Sequence, residues 1–162
     1  MKIGSMIGRL ENALAPSRRL AAAVDSIFRI GTSLIFIVGG LGHFGRHGEM
    51  LARIDESPWR DAVMLVGSPS ILLWLSGGVF VIFGFMLALG YATRTSAMLL
   101  FAALVPITIA VHVAPGHTGP FLKNIAILGS LLHFYARGPG CFAIDSRSQA
   151  KAASPCSNPS TQ

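Results

Sequence analysis

The feature that most constrains this chain is a series of long apolar runs almost free of charge. Ser26 to Phe44 is nineteen residues long, with Arg29 near its start and His43 near its end. Ile71 to Leu89 holds no ionisable side chain, and Thr95 to Val113 is interrupted only by Pro106 and His112. About 20 apolar residues at 1.5 Å each cross a hydrocarbon layer roughly 30 Å thick. Lipid offers the backbone no hydrogen bonds, so such runs must be helical. A fourth run, Phe121 to Tyr135, has only fifteen residues and contains Lys123. Extended back to His117 it reaches nineteen, and a lysine near a helix end can snorkel to the interface. The pattern predicts an all-α fold: a four-transmembrane-helix bundle, up-down-up-down, with spans at about 26–44, 71–89, 95–113 and 117–135.

Composition agrees with lipid as the solvent: 52% of the 162 residues are hydrophobic and 12% charged, with a mean hydropathy of +0.60. The net charge of +6 does not point to nucleic acid. That would need basic residues gathered on one soluble face, whereas these flank the apolar runs. Nine of them (Lys2, Arg9, Arg18, Arg19, Arg29, Arg94, Arg137, Arg147, Lys151) fall on one side of the expected spans and four (Arg46, Arg53, Arg60, Lys123) on the other. Lys and Arg are retained on the cytoplasmic side, so both termini are expected inside a bacterial plasma membrane.

Residues 1–24 read as a cytoplasmic amphipathic segment, with Ile3, Met6, Ile7, Leu10 and Leu14 at helical spacing. The first span lacks the short apolar stretch and Ala-x-Ala site of a cleavable leader, so it is expected to be retained. The membrane domain is expected over residues 25–146, with a short helix around Met50, Leu51 and Ile54 in the outer loop. A Ser-, Pro- and Asn-rich disordered cytoplasmic tail is expected over 147–162. Cys141 and Cys156, in the polar C-terminal segment with fourteen residues between them, form no metal-binding pattern.

Two polar constellations stand out within the apolar frame. Arg29, Ser33, Phe36, Gly40, His43 and His47 recur at spacings of four, three, four, three and four, which puts them within roughly 40° of one line along a helix. Such a stripe either lines a cavity, with Arg29, Ser33 and Gly40 as candidates, or packs helices through small residues. The second constellation comes from topology, which brings His43, His47, His112, His117, Lys123 and Asn124 to one membrane level. His43 and His47, one turn apart, are the only candidates for a metal, and no carboxylate or thiol in a span completes that site. A haem between His43 and His112 rests on two histidines alone. Haem and metal are therefore disfavoured. A quinone needs an apolar cleft with a few polar groups for its oxygens, and His112, Lys123, Asn124 and His43 fit that role. The bland alternative is that these groups simply face water and headgroups. No Gly-x-Ser-x-Gly elbow or phosphate loop is present, which removes hydrolase and nucleotide readings.

The stretch Phe121-Leu122-Lys123-Asn124-Ile125-Ala126-Ile127-Leu128-Gly129, then Gly138-Pro139-Gly140 and Ala143-Ile144-Asp145, resembles the end of DoxX family membrane proteins. Arg29 with Gly31, Gly90-Tyr91 with Thr93-Arg94, and Pro106-Ile107-Thr108 with His112 are compatible with the same family over residues 25–146. The resemblance implies a four-helix membrane bundle and adds Thr108 to the cavity candidates. It also implies a membrane subunit of a quinone-linked oxidoreductase, of the kind found with thiosulfate:quinone oxidoreductase, or of a redox-defence complex. A protein partner subunit or a homo-oligomer would accompany that role. Two departures are visible: Ile71 to Gly78 lacks the glutamate of many relatives, and Cys141 stands where a basic residue is usual. The alternative function is a noncatalytic membrane scaffold or a small-solute conduit.

Overall fold

The computed structural model describes residues 14–113, 116, 118–140 and 142–146, and is all-helical over them. The helices are α1 (Arg18–Gly45), α2 (His47–Asp55), α3 (Arg60–Val66), α4 (Pro69–Leu89), α5 (Thr93–Ile107) and α6 (Thr118–Arg137). Most of the expected N-terminal segment and the whole tail from residue 147 lie outside the described residues, as does His117.

Three helices are long and apolar enough to cross a membrane: Arg19–Gly45, Pro69–Leu89 and Thr93–His112. The first starts before the expected residue 26, because the Ser17 side chain accepts from the Leu20 N–H and caps a helix that begins at Arg18. The second begins with Pro69 at its first turn, where the missing N–H costs nothing. The third passes Pro106 and changes winding, running as a π-helix over Thr108–His112. The winding thus loosens just past the proline, which cannot supply an N–H to the helix ladder. The fourth expected span is a helix of 20 residues, α6. Lys123, Asn124 and His133 keep it out of the strongly apolar group.

α1 packs chiefly on α4, α4 on α5 and α5 on α6, while α6 makes a lighter closing contact with α1. The core takes Phe36 from α1, Phe80 and Leu87 from α4, Ala97, Leu100 and Leu104 from α5, and Ile127, Leu131 and Phe134 from α6. The last two sets recur at three- and four-residue steps, one face of a helix. Outward, the long helices present Leu34, Val38, Leu41, Ile71, Leu75, Ile82 and Phe85. That much contiguous apolar surface belongs against lipid rather than water. Between α1 and α4 the backbones meet at Gly40 and Gly77. A Cβ at Gly40 would lie 2.8 Å from the Gly77 carbonyl oxygen, so Gly40 serves helix packing.

The loop between α1 and α4 holds two short helices, α2 and α3, where one was expected. It is fastened to the end of the third long helix: the Ser57 hydroxyl donates to the Ala110 carbonyl, and the Trp59 indole N–H donates to the Val113 carbonyl at 3.0 Å. Ile54 is buried beneath the loop.

Candidate functional site

A cavity of about 480 Å³ opens where α1, α4, α5 and α6 meet beneath the outer-loop helices. Its walls are mostly apolar, including Phe36, Leu73, Phe80, Leu104 and Ile127, with Met50, Ile54, Val63 and Val66 contributed by α2 and α3. Its polar groups are His43, Arg53, Ser76, His112, Lys123 and Asn124, and no carboxylate is among the lining residues. Of the six residues expected at one membrane level, the four offered for a quinone, His43, His112, Lys123 and Asn124, all border this one space.

His43 is almost fully buried. Its Nδ1 lies 3.0 Å from the Ser76 hydroxyl and 3.3 Å from the Leu73 carbonyl, and its ring packs on Phe80 with centroids 5.5 Å apart. Asn124, also buried, donates from Nδ2 to the Thr108 hydroxyl at 3.0 Å. His47 instead turns away: its Nε2 pairs with the Ser70 hydroxyl at 2.9 Å and its ring stacks near Trp74. The two histidines one turn apart therefore reach for different serines. Among the described residues no group of three or more His, Cys, Asp or Glu side chains could hold a metal ion.

The stripe on α1 divides. Phe36 and His43 border the cavity together with Gly39, whereas Arg29, Ser33, Gly40 and Thr108 do not. Ser33 bonds back to the Arg29 carbonyl at 2.7 Å, Gly40 meets α4, and Thr108 acts behind Asn124. Ser76 and Arg53 are the polar lining residues that the sequence reading passed over. Ser76 could have been noticed as a hydroxyl in an otherwise apolar span, and Arg53 by its position one residue before Ile54 on the expected outer-loop helix.

Arg29 belongs to a second assembly at the opposite end. Its guanidinium donates to the Pro139 carbonyl and, at 3.2 Å, to the Phe142 carbonyl. Asp145 accepts from the Ala92 N–H at 2.9 Å, the Thr93 N–H at 3.0 Å and the Thr93 hydroxyl at 3.2 Å. These are the orphan donors at the start of α5, capped from far along the chain. Burial pushes the Asp145 carboxyl up, but the Thr93 and Ala92 hydrogen bonds and the Arg29 charge outweigh it and hold it below its ordinary value. Gly90, at φ +68°, closes the assembly: a Cβ there would collide with the Ala143 Cβ.

The DoxX family model matches residues 24–113, more than half of the chain. The chain belongs to the DoxX family. The DoxX match takes in Arg29, His43, Ser76, Gly90, Thr93, Thr108 and His112, and stops before Lys123, Asn124 and Asp145. The structure joins the two parts: Asn124 bonds to Thr108, and Asp145 to Thr93, across that limit. No curated protein and no solved structure matches this DoxX chain.

Proposed function

We propose that this protein is a membrane subunit of a quinone-linked oxidoreductase or redox-defence complex, and that the outer cavity receives the quinone head. One observation carries the reading: His43, His112, Lys123 and Asn124 converge on a single, mainly apolar cavity of about 480 Å³. That volume lies within the range of small-molecule sites, which pair apolar walls with a few polar groups. Arg53 and Lys123, without a lining carboxylate, favour electron-rich oxygens on the ligand.

In this reading α6 is a fourth span. The domain over residues 25–146 sits in a bacterial plasma membrane with both termini cytoplasmic, flanked by the amphipathic segment 1–24 and the tail 147–162. The basic residues support that orientation, since nine flank the inner ends and four the outer. A protein partner or a second copy of the chain completes the electron path. A conduit would draw on Arg29, Ser33 and His43, of which the first two are tied to carbonyl groups away from the cavity, and so has less support.

The test is quinone binding to the detergent-purified protein, followed by quinone reduction in membranes containing its neighbours. Saturable binding lost in Asn124→Leu supports the reading. A protein that binds no quinone and promotes no quinone reduction removes it and leaves the scaffold.

A further inference from the structure

The hydrogen bonds that His43 and Asn124 make with their neighbours bear on which atom each keeps for a ligand. The Ser76 hydroxyl has one proton and donates it to the Leu73 carbonyl at 3.0 Å. Towards His43 it can therefore only accept, and the Leu73 carbonyl can only accept. Both lie against Nδ1 of His43, at 3.0 Å and 3.3 Å, so Nδ1 carries the ring proton. No carboxylate among the described residues pairs with this buried ring, so the imidazole is neutral and Nε2 bears a lone pair.

The same logic applies across the cavity. Thr108 donates its proton to the Leu104 carbonyl at 2.7 Å. It can then only accept from Asn124, which fixes the amide with Nδ2 toward Thr108 and leaves Oδ1 as the remaining acceptor. Both His43 and Asn124 border the open volume. Two serine- and threonine-oriented acceptors thus belong to one apolar cavity.

We infer that the site is built for the reduced, hydroxyl-bearing form of a quinone, whose two O–H groups donate to His43 Nε2 and Asn124 Oδ1. This rests on the quinone reading above and adds the redox form to it. A quinone carbonyl can only accept, so against these two atoms it makes no hydrogen bond and leaves two acceptors desolvated. A hydroxyl donates to them and still accepts from Lys123. Ser76 and Thr108 are positioning residues, because they set which atom each neighbour offers without needing to touch the ligand.

The experiment titrates the full chain in lipid nanodiscs, without oxygen, with a short-chain ubiquinone analogue and separately with its quinol. The quinol is expected to bind tighter by about tenfold or more, the equivalent of one to two hydrogen bonds. Ser76→Ala and Thr108→Val should each bring the ratio toward one, because the freed ring or amide can turn a donor inward. Ser76→Thr and Thr108→Ser, which keep the hydroxyl, should preserve it. Equal or tighter binding of the oxidised form by the unaltered protein overturns the inference and leaves the quinone reading standing. Binding of neither form overturns both. Nitrogen NMR of the histidine-labelled protein supplies a readout that needs no variant to fold: a His43 ring protonated at Nε2 instead of Nδ1 overturns the inference.

Discussion

Three glycines of α1 separate the cost of helix packing from that of backbone preference. An added Cβ at Gly40 would stand 2.8 Å from the Gly77 carbonyl oxygen and 2.9 Å from both the Phe80 Cβ and the Val81 Cγ2, where ordinary contact begins at 3.4 Å. The first two neighbours are fixed to the backbone of α4 and cannot rotate aside, so Gly40→Ala must push the helices apart. Overpacking of this kind costs about 1–3 kcal/mol. Alanine's better helix preference offsets about 0.5–1 kcal/mol of it. At Gly31 and Gly39 nothing lies within 4 Å of the added carbon, so Gly31→Ala carries the preference without the clash. The difference between Gly40→Ala and Gly31→Ala therefore isolates the packing cost, about 1–3 kcal/mol. Equilibrium unfolding of the detergent-solubilised protein in increasing SDS, followed by helical circular dichroism, measures it. If the two variants agree within about 0.5 kcal/mol, the close approach of α1 and α4 at Gly40 is refuted.

The Asp145 carboxyl is held below its ordinary value, so its capping contribution is present above about pH 4 and is lost as pH falls through the depressed folded value. Hydrogen exchange at the Ala92 and Thr93 amides should lose protection in acid, and Asp145→Asn should lower neutral-pH protection and flatten that dependence; an unchanged profile contradicts the cap. Removing both fasteners of the outer loop, with Ser57→Ala and Trp59→Phe, deletes two hydrogen bonds worth about 1 kcal/mol each. Trypsin should then cut at Arg60 roughly thirtyfold faster, and an unchanged rate means the loop is held by other contacts. For orientation, Ser68→Cys should react with an impermeant maleimide added outside intact cells, while Cys141 and Cys156 react only after lysis; the reverse pattern inverts the proposed topology.

The long apolar helices were legible because length and hydropathy act locally, and an uncharged run such as Ile71 to Leu89 has few other stable forms. The fourth was less legible, since Lys123 and Asn124 lower its apolar character for reasons that lie in the cavity. Topology sufficed to bring His43, His112, Lys123 and Asn124 to one level, because the ends of neighbouring helices share a depth. Angular arithmetic on α1 did not suffice to divide Gly39 from Gly40. Which of two adjacent glycines meets α4 depends on how that neighbour is placed, and a single helix does not carry this. The roles of Ser76 and Thr108 depend on where one hydroxyl proton goes, and the capping by Asp145 on a contact across 53 residues; neither leaves a periodic trace.

That separation also has a meaning in time. Ala92 and Thr93 are translated some fifty residues before the carboxylate that caps them. Until Asp145 leaves the ribosome, water at the membrane surface must satisfy those amides, and the start of α5 remains unfinished while α6 is still being made. The exchange of water for carboxylate, with Arg29 gripping the returning chain at Pro139 and Phe142, therefore marks the moment of completion. A chain truncated before Asp145 would keep its apolar helices and leave the Ala92 and Thr93 amides to water.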